Sequence, residues 1–449
     1  MLSQILALLI VGLMFVLIIW GKYPRHIVVL AASLAMIGAV FLLVMRSPAA
    51  VWEALSLHTL IQPAFWMAYG GVAEINTGIN WSTVIFLLGM MVMVEEMSEA
   101  GFFDWLCLGL AKILRFRPLP LMLCFMILSA ALSMFIDSIT VILFLVVATV
   151  RLGHFLQFDP VPVIIAEIFA ANLGGAATMS GDPPNIILGT SLGLSFWDFI
   201  QNNGVICFLG FILVLIYFAV CFRTKLGSGI QPNNPDLADL HPSDAIVNRR
   251  QFFVSILVFF GIILLIMTHT RTGLTMPAIG MLAIAATLVH TRDRLGVIRR
   301  VDWKTILFII GLFVTVSGLE QTGVLHGLAH GLARLGGGSS VQMVVVLFWF
   351  TAITSAFVDN IPIATLMVPV VISLSSMQGL DLETLTWTLS KGTDIGGIAT
   401  PIGASANVTG VALAAQEGHP ISWKRYCKYA MPASVMVLVL SMFLIITMH

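Results

Sequence analysis

Four aspartates stand where a carboxylate is expensive. Asp137, Asp182, Asp359 and Asp394 each lie inside a stretch otherwise made of aliphatic, aromatic and small residues. A carboxylate at membrane depth costs about 2.5–3.5 kcal/mol on insertion scales, so it must face a cavity or a partner, and it marks a place where ions or protons are handled. Small oxygen-bearing side chains gather beside two of them. Ser133, Asp137, Ser138 and Thr140 share the segment 129–140, and Ser355, Asp359 and Asn360 precede Pro362 in a matching segment. Glycine and proline break the chain beside the other two. The run 171–189 reads ANLGGAATMSGDPPNIILG and the run 393–407 reads TDIGGIATPIGASAN. Proline cannot continue a helical hydrogen-bond ladder. Each run therefore describes a helix that stops, passes through extended chain and restarts. A restarting half-helix presents its positive N-terminal end to an anion or a neutral oxygen ligand, and a stopping one presents carbonyls to a cation or proton donor.

The elements that must position these residues are membrane spans. Of 449 residues, 59% are hydrophobic and only 10% charged, against about 25% charged in a soluble domain. This excludes a disordered chain, a nucleic-acid binder and an ordinary soluble enzyme, and leaves a polytopic membrane protein in a lipid bilayer. The five cysteines form no C-x-x-C pair, so no zinc, haem or disulfide framework follows and no metal or cofactor is expected. The first apolar run precedes its positive charges, Lys22 and Arg25, and is read as a retained span rather than a signal peptide. Apolar runs long enough to cross fall near 2–20, 26–45, 81–98, 160–193, 203–222, 251–268, 274–290, 304–320, 383–413 and 430–447.

The halves repeat. WSTVIFLLG at 81–89 matches WKTILFIIG at 303–311, SMFID at 133–137 matches SAFVD at 355–359, GGAAT at 174–178 matches GGIAT at 396–400, and Asn185 matches Asn407, always 222 residues apart. Similarity at one constant offset is a duplication. The polar segment 223–250 separates the first repeat, 1–222, from the second, 251–449. Two further apolar stretches, about 121–150 and about 343–375, each hold an Asp near the middle and are read as re-entrant hairpins. With the N-terminus outside and the hairpins not crossing, 18 of the 22 Lys and Arg residues, Lys22 and Arg25 among them, fall on one face. The positive-inside rule makes that face cytoplasmic. Each repeat then crosses five times, which inverts one repeat relative to the other.

The expected fold is an all-α polytopic membrane protein: two inverted repeats, about ten transmembrane helices, two re-entrant hairpins (about 121–150 and 343–375) and discontinuous helices (about 160–193 and 383–413) at the midplane. Both termini are expected outside and the central linker in the cytoplasm. Segments 100–117, 195–202, 322–335 and 420–429 read as amphipathic interfacial helices. Asp137 and Asp359 could cap half-helices. Asp182, just before Pro183, suits either an N-cap or direct coupling. Glu167 suits a proton relay or paired burial, and Lys391 suits neutralising Asp394.

The motifs GGAATMSGDPPN at 174–185, SAFVDNIP at 355–362 and GASAN at 403–407 resemble those of the arsenite permease (ArsB)/NhaD-type branch of the ion transporter superfamily. The resemblance implies an elevator carrier in the inner (plasma) membrane, one domain of hairpins and broken helices sliding against the remaining spans. Its motif positions place Ser133, Asp137, Ser138, Asn172, Thr178, Gly181, Asp182 and Asn185 in one half of the site. The other half is Ser355, Asp359, Asn360, Asp394, Thr400, Gly403, Ser405 and Asn407. Dicarboxylate relatives carry Ser-Asn-Thr at both tips, where this chain has Asp137-Ser138-Ile139 and Asp359-Asn360-Ile361. Acidic tips disfavour a dianion and favour a cation, a proton or a neutral molecule. The leading expectation is proton-coupled efflux of arsenite or antimonite, with a sodium/proton antiporter and an organic or inorganic anion carrier as alternatives. Protons, with sodium as the alternative, are the coupling ions; a homodimer and an arsenical ATPase subunit are the protein partners the resemblance implies.

Overall fold

A polypeptide in lipid finds no water for its amides, so each crossing segment closes its own hydrogen bonds as a helix. The computed structural model describes residues 1–67, 78–226 and 241–448. Part of the 46–80 insertion and much of the central linker lie outside the described residues. Among the described residues the chain is helical throughout, apart from an isolated bridge between Met67 and Leu274.

The duplication read from the sequence is present element for element. Trp81–Glu99, Phe102–Ile113, Pro118–Ser133, Ser138–Leu156 and Pro183–Leu192 recur as Trp303–Gln321, Val324–Leu335, Ser340–Phe357, Asn360–Gln378 and Ser405–Gln416, each beginning 222 residues later. The two hairpins are therefore Pro118–Ser133 with Ser138–Leu156, and Ser340–Phe357 with Asn360–Gln378, with longer arms than the apolar runs outlined. The two broken helices are Val161–Gly175 with Pro183–Leu192, and Leu382–Ile398 with Ser405–Gln416. Ten described helices are long and apolar enough to cross a membrane. The number matches the expected one, but the membership differs. Three of the ten are hairpin arms, while neither broken helix qualifies, because each is divided into two short pieces. Residues 423–429 form the first turns of the long helix Trp423–Met448 rather than a separate interfacial helix.

The repeats interlock. Trp81–Glu99 packs on Met276–His290 of the other repeat, and Trp303–Gln321 packs on Arg25–Ala35. The first of these contacts brings backbones together: a Cβ on Gly89 would stand 2.3 Å from the carbonyl oxygen of Gly280. Small residues permit such close crossings where lipid gives no hydrophobic drive between helices. The second exchange builds the centre. Each hairpin packs on the first half of its own repeat's broken helix, while Pro183–Leu192 leans on Asn360–Gln378 and Ser405–Gln416 leans on Ser138–Leu156. Each restarted half-helix thus meets the opposite hairpin.

Gly89→Val should force these helices apart at a cost of about 1–3 kcal/mol, typical of overpacking. Thermal unfolding in detergent checks this: a clear drop in Tm is expected, and an unchanged Tm would show that the crossing is not tight.

Candidate functional site

Each hairpin turns at its aspartate. Asp137 occupies the N-cap of Ser138–Leu156 and accepts the Thr140 amide N–H at 3.4 Å. Asp359 occupies the N-cap of Asn360–Gln378 and accepts the Ile361 amide N–H at 3.1 Å. Both therefore cap, satisfying amides that have no partner within the helix. The breaks are tied to the tips by the same bond in each repeat: the Thr178 hydroxyl donates to the Met134 carbonyl and the Thr400 hydroxyl to the Ala356 carbonyl. The two asparagines hold the breaks together. Asn185 Nδ2 donates to the carbonyls of Gly175 (3.3 Å) and Thr178 (3.1 Å). Asn407 Nδ2 donates to Gly397 (2.9 Å) and Thr400 (2.8 Å). Gly181 and Gly403 allow the break to lie against the tip: a Cβ there would stand 2.4 Å from the Ser133 carbonyl and 2.7 Å from the Ser355 carbonyl, respectively.

Asp137, Ser138, Asn172, Asp182, Asn360 and Ser405 line a common narrow cleft of about 10 Å³, room for about one water. Four helices start at its wall, at Ser138, Pro183, Asn360 and Ser405, so four positive helix ends point to one place. Asn172 joins the repeats, its Nδ2 donating to Asn407 Oδ1 at 2.9 Å and to the Ile168 carbonyl at 2.7 Å. Asp182 sits at the N-cap position of Pro183–Leu192 but its side chain caps nothing. Instead its Oδ1 accepts the Ser138 hydroxyl at 2.5 Å. The buried Oδ2 of Asp182 and Oδ1 of Asp137 have no hydrogen-bond partner.

The remaining sequence-selected residues stand around the cleft, not on its wall. Asp359, 1% exposed, accepts Arg25 Nη1 at 2.6 Å and the Ser405 hydroxyl. Arg25, which the charge count places with the cations of one membrane face, reaches the second hairpin tip with its guanidinium. Nothing in its flanking sequence distinguishes it from Lys22. Ser355 donates to the Thr393 carbonyl at 2.6 Å, and the buried Ser133 hydroxyl has no partner. Asp394 lies deeper, its Oδ2 accepting from Ser390 at 3.5 Å and its Oδ1 unpartnered. Ser390 also donates to Asn185 Oδ1 at 2.8 Å. Lys391 makes no ion pair with Asp394; its Nζ donates to the Ala176 carbonyl and to Cys207 Sγ. Glu167 Oε1 accepts the Thr149 hydroxyl at 2.5 Å, while its buried Oε2 has no hydrogen-bond partner among the described residues.

Comparison with known proteins supplies the family. Residues 15–392 match the citrate transporter family, CitMHS. The chain is a member of that family. An uncharacterized transporter of Mycobacterium tuberculosis is 32% identical over 380 residues, covering 82% of this chain and 86% of that protein. The 46 kDa membrane protein of Mycobacterium leprae is likewise 32% identical over 374 residues, with the same coverage. The human P protein is 27% identical over 526 residues, 96% of this chain and 61% of that protein. The crystal structure of the Alcanivorax borkumensis YdaH transporter, described as having an unusual topology, superposes with a TM-score of 0.54 at 14% identity, over 89% of this chain and 97% of that one. The chain is thus a multi-pass membrane transporter of the CitMHS family with the fold of a known carrier. The arsenite-permease branch in particular is not singled out by these matches.

Arg25→Gln leaves Asp359 buried without its cation. Breaking a fully buried pair costs about 3–5 kcal/mol, and the 27% exposure of the Arg25 side chain reduces this. The single variant should melt lower than wild type, and Arg25→Gln with Asp359→Asn should recover most of the loss. An unaltered Tm for Arg25→Gln would show the pair to be incidental.

Proposed function

We propose that this CitMHS-family transporter is a proton-coupled carrier that exports a small neutral oxyacid of the arsenite or antimonite class. The hairpins and broken helices would move as one body against the other spans. The observation that carries the reading is the chemistry of the cleft. Its wall offers hydroxyls, amides and two carboxylates with free oxygens, Asp137 Oδ1 and Asp182 Oδ2. The nearby guanidinium of Arg25 is already held by Asp359. Arsenite is largely an uncharged trihydroxide at neutral pH. Its three O–H groups donate to carboxylates and accept from amides, so it satisfies buried polar groups that would otherwise remain costly. A carboxylate that takes a proton as the solute leaves links proton and solute movement.

A second reading, a carrier of carboxylate anions, is favoured by the four helix starts and by the family's description. Positive helix ends attract anions, but an anion would also have to neutralise or displace the acidic wall. A sodium/proton antiporter would use the same aspartates. In all three readings we place the linker in the cytoplasm and both termini outside, in the inner membrane.

Proteoliposomes holding a pH-sensitive dye separate these readings. Across an imposed proton gradient, arsenite should accelerate proton flux, whereas sodium and citrate should not. Asp137→Asn should lower the arsenite-driven flux about a hundredfold, the lower end for losing a positioned proton-transfer group. Flux driven by sodium or citrate but not by arsenite overturns the proposal in favour of the corresponding alternative.

A further inference from the structure

Lys391 is fully buried, yet among the described residues no carboxylate lies within ion-pair distance of it. A buried ammonium is expensive unless its surroundings supply negative charge or dipoles. Those around Lys391 are specific. Its Nζ donates at 2.7 Å to the carbonyl of Ala176, the C-cap of Val161–Gly175, and at 2.9 Å to Cys207 Sγ. Ala176 stands where the first broken helix stops, and a stopped helix gathers negative partial charge at its free carbonyls. Carriers with broken helices coordinate their coupling cation at such ends. Asp394, three residues along the same helix, and Asp182, across the break, each have a buried oxygen without a hydrogen-bond partner. The Asn203 carbonyl oxygen is also buried and unpartnered, while its amide donates to Ser390 at 2.7 Å.

The repeat provides a control within the molecule. The position 222 residues after Ala176 is Ile398, at the end of the other stopped helix, and its carbonyl accepts the Tyr426 hydroxyl at 3.2 Å. Each stopped helix thus has an equivalent carbonyl closed by a donor tethered in the second repeat. One donor is neutral and the other is a cation.

We propose that the Lys391 ammonium is a tethered cation occupying a monovalent-cation site at the end of the first stopped helix, so that the protein needs no sodium there. The Ala176 carbonyl holds the ammonium, and a sodium ion in its place would draw on that carbonyl and on Asp394 of the same helix as Lys391. The titratable groups nearest along the chain and on the elements packed here are Asp394 on its own helix, Asp182 before Pro183–Leu192 and Cys207 on Val205–Leu226, which accepts from the ammonium. From the other packed helices, Glu167 is engaged by Thr149 and Tyr426 by Ile398. The inference deepens the proton-coupled reading but depends on that reading only for the ion, not for the solute.

The test needs no transported solute. The purified full chain is melted in sodium chloride and in an equal concentration of N-methyl-D-glucamine chloride. Wild type should melt at the same temperature in both. Lys391→Ala should melt lower in glucamine and regain several degrees in sodium or in methylammonium, because an ion that binds only the folded state stabilises it. The gain should vanish when Asp394→Asn is added. A Lys391→Ala protein that gains from neither ion, or a wild type that gains as much as the variant, overturns the proposal. If Lys391→Ala does not purify, radioactive sodium binding to wild type decides. No saturable binding supports the proposal, and saturable binding abolished by Asp394→Asn overturns it. A protein that fails to move arsenite leaves this outcome unaffected.

Discussion

The structure depends on one constraint: a helix that ends inside a membrane leaves amides and carbonyls that lipid cannot satisfy. This chain ends helices in its interior at both hairpin tips and both breaks, and it meets the debt with its own side chains. Thr178 and Thr400 each bind a hairpin carbonyl, Asn185 and Asn407 each bind two carbonyls of their own break, and Asp137 and Asp359 each cap the helix that follows. These bonds draw tip and break together so tightly that only glycine fits at 181 and 403. What remains open after this accounting is a small polar cleft shared by the two repeats. The site is the residue of the backbone's own requirements.

Function then comes from where the duplication has stopped being symmetric. The scaffold pairs Asn185 with Asn407 and Thr178 with Thr400, and these behave alike. Asn172 pairs with Asp394, Asp182 with Ala404 and Ser138 with Asn360. These unlike pairs give the first repeat an acid on the cleft wall and the second an acid beneath it. Asp137 and Asp359 are the same residue in the same place but differ in partners. Asp359 is held by Arg25 and Ser405, whereas Asp137 keeps an oxygen free. One tip is closed by a cation, and the other keeps a buried oxygen without a partner.

Much of this was legible in the sequence, for identifiable reasons. Proline, glycine and a constant offset report backbone events, so the breaks, the tips and the duplication could be read from local composition. The six cleft-lining polar residues were all among those chosen, because a polar side chain at membrane depth has few other uses. Long-range partners were not legible. The sequence shows Arg25 only as a cation at the end of an apolar run, and the pairing with Asp359 spans 334 residues. Lys391 suggested a neutralising neighbour for Asp394, three residues away, but the break offered it a carbonyl of the other repeat. Asp182, just before proline, suits an N-cap or direct coupling equally by sequence, and only the structure shows that Ser138 holds its carboxylate. The start of Trp423–Met448 holds the place in the repeat that matches 195–202 and reads as interfacial for that reason, although its apolar continuation extends it into one long helix.

The central claim is that the shared cleft is the place where solute crosses. Single cysteines at Ile139, Ile361 and Ala406, three apolar positions on its wall, placed in a background without the five native cysteines, test it most directly with a membrane-impermeant maleimide. The account predicts that each is labelled from both sides of the membrane and that arsenite slows labelling at all three. Labelling from one side only, with no protection by arsenite, sodium or citrate, would contradict it.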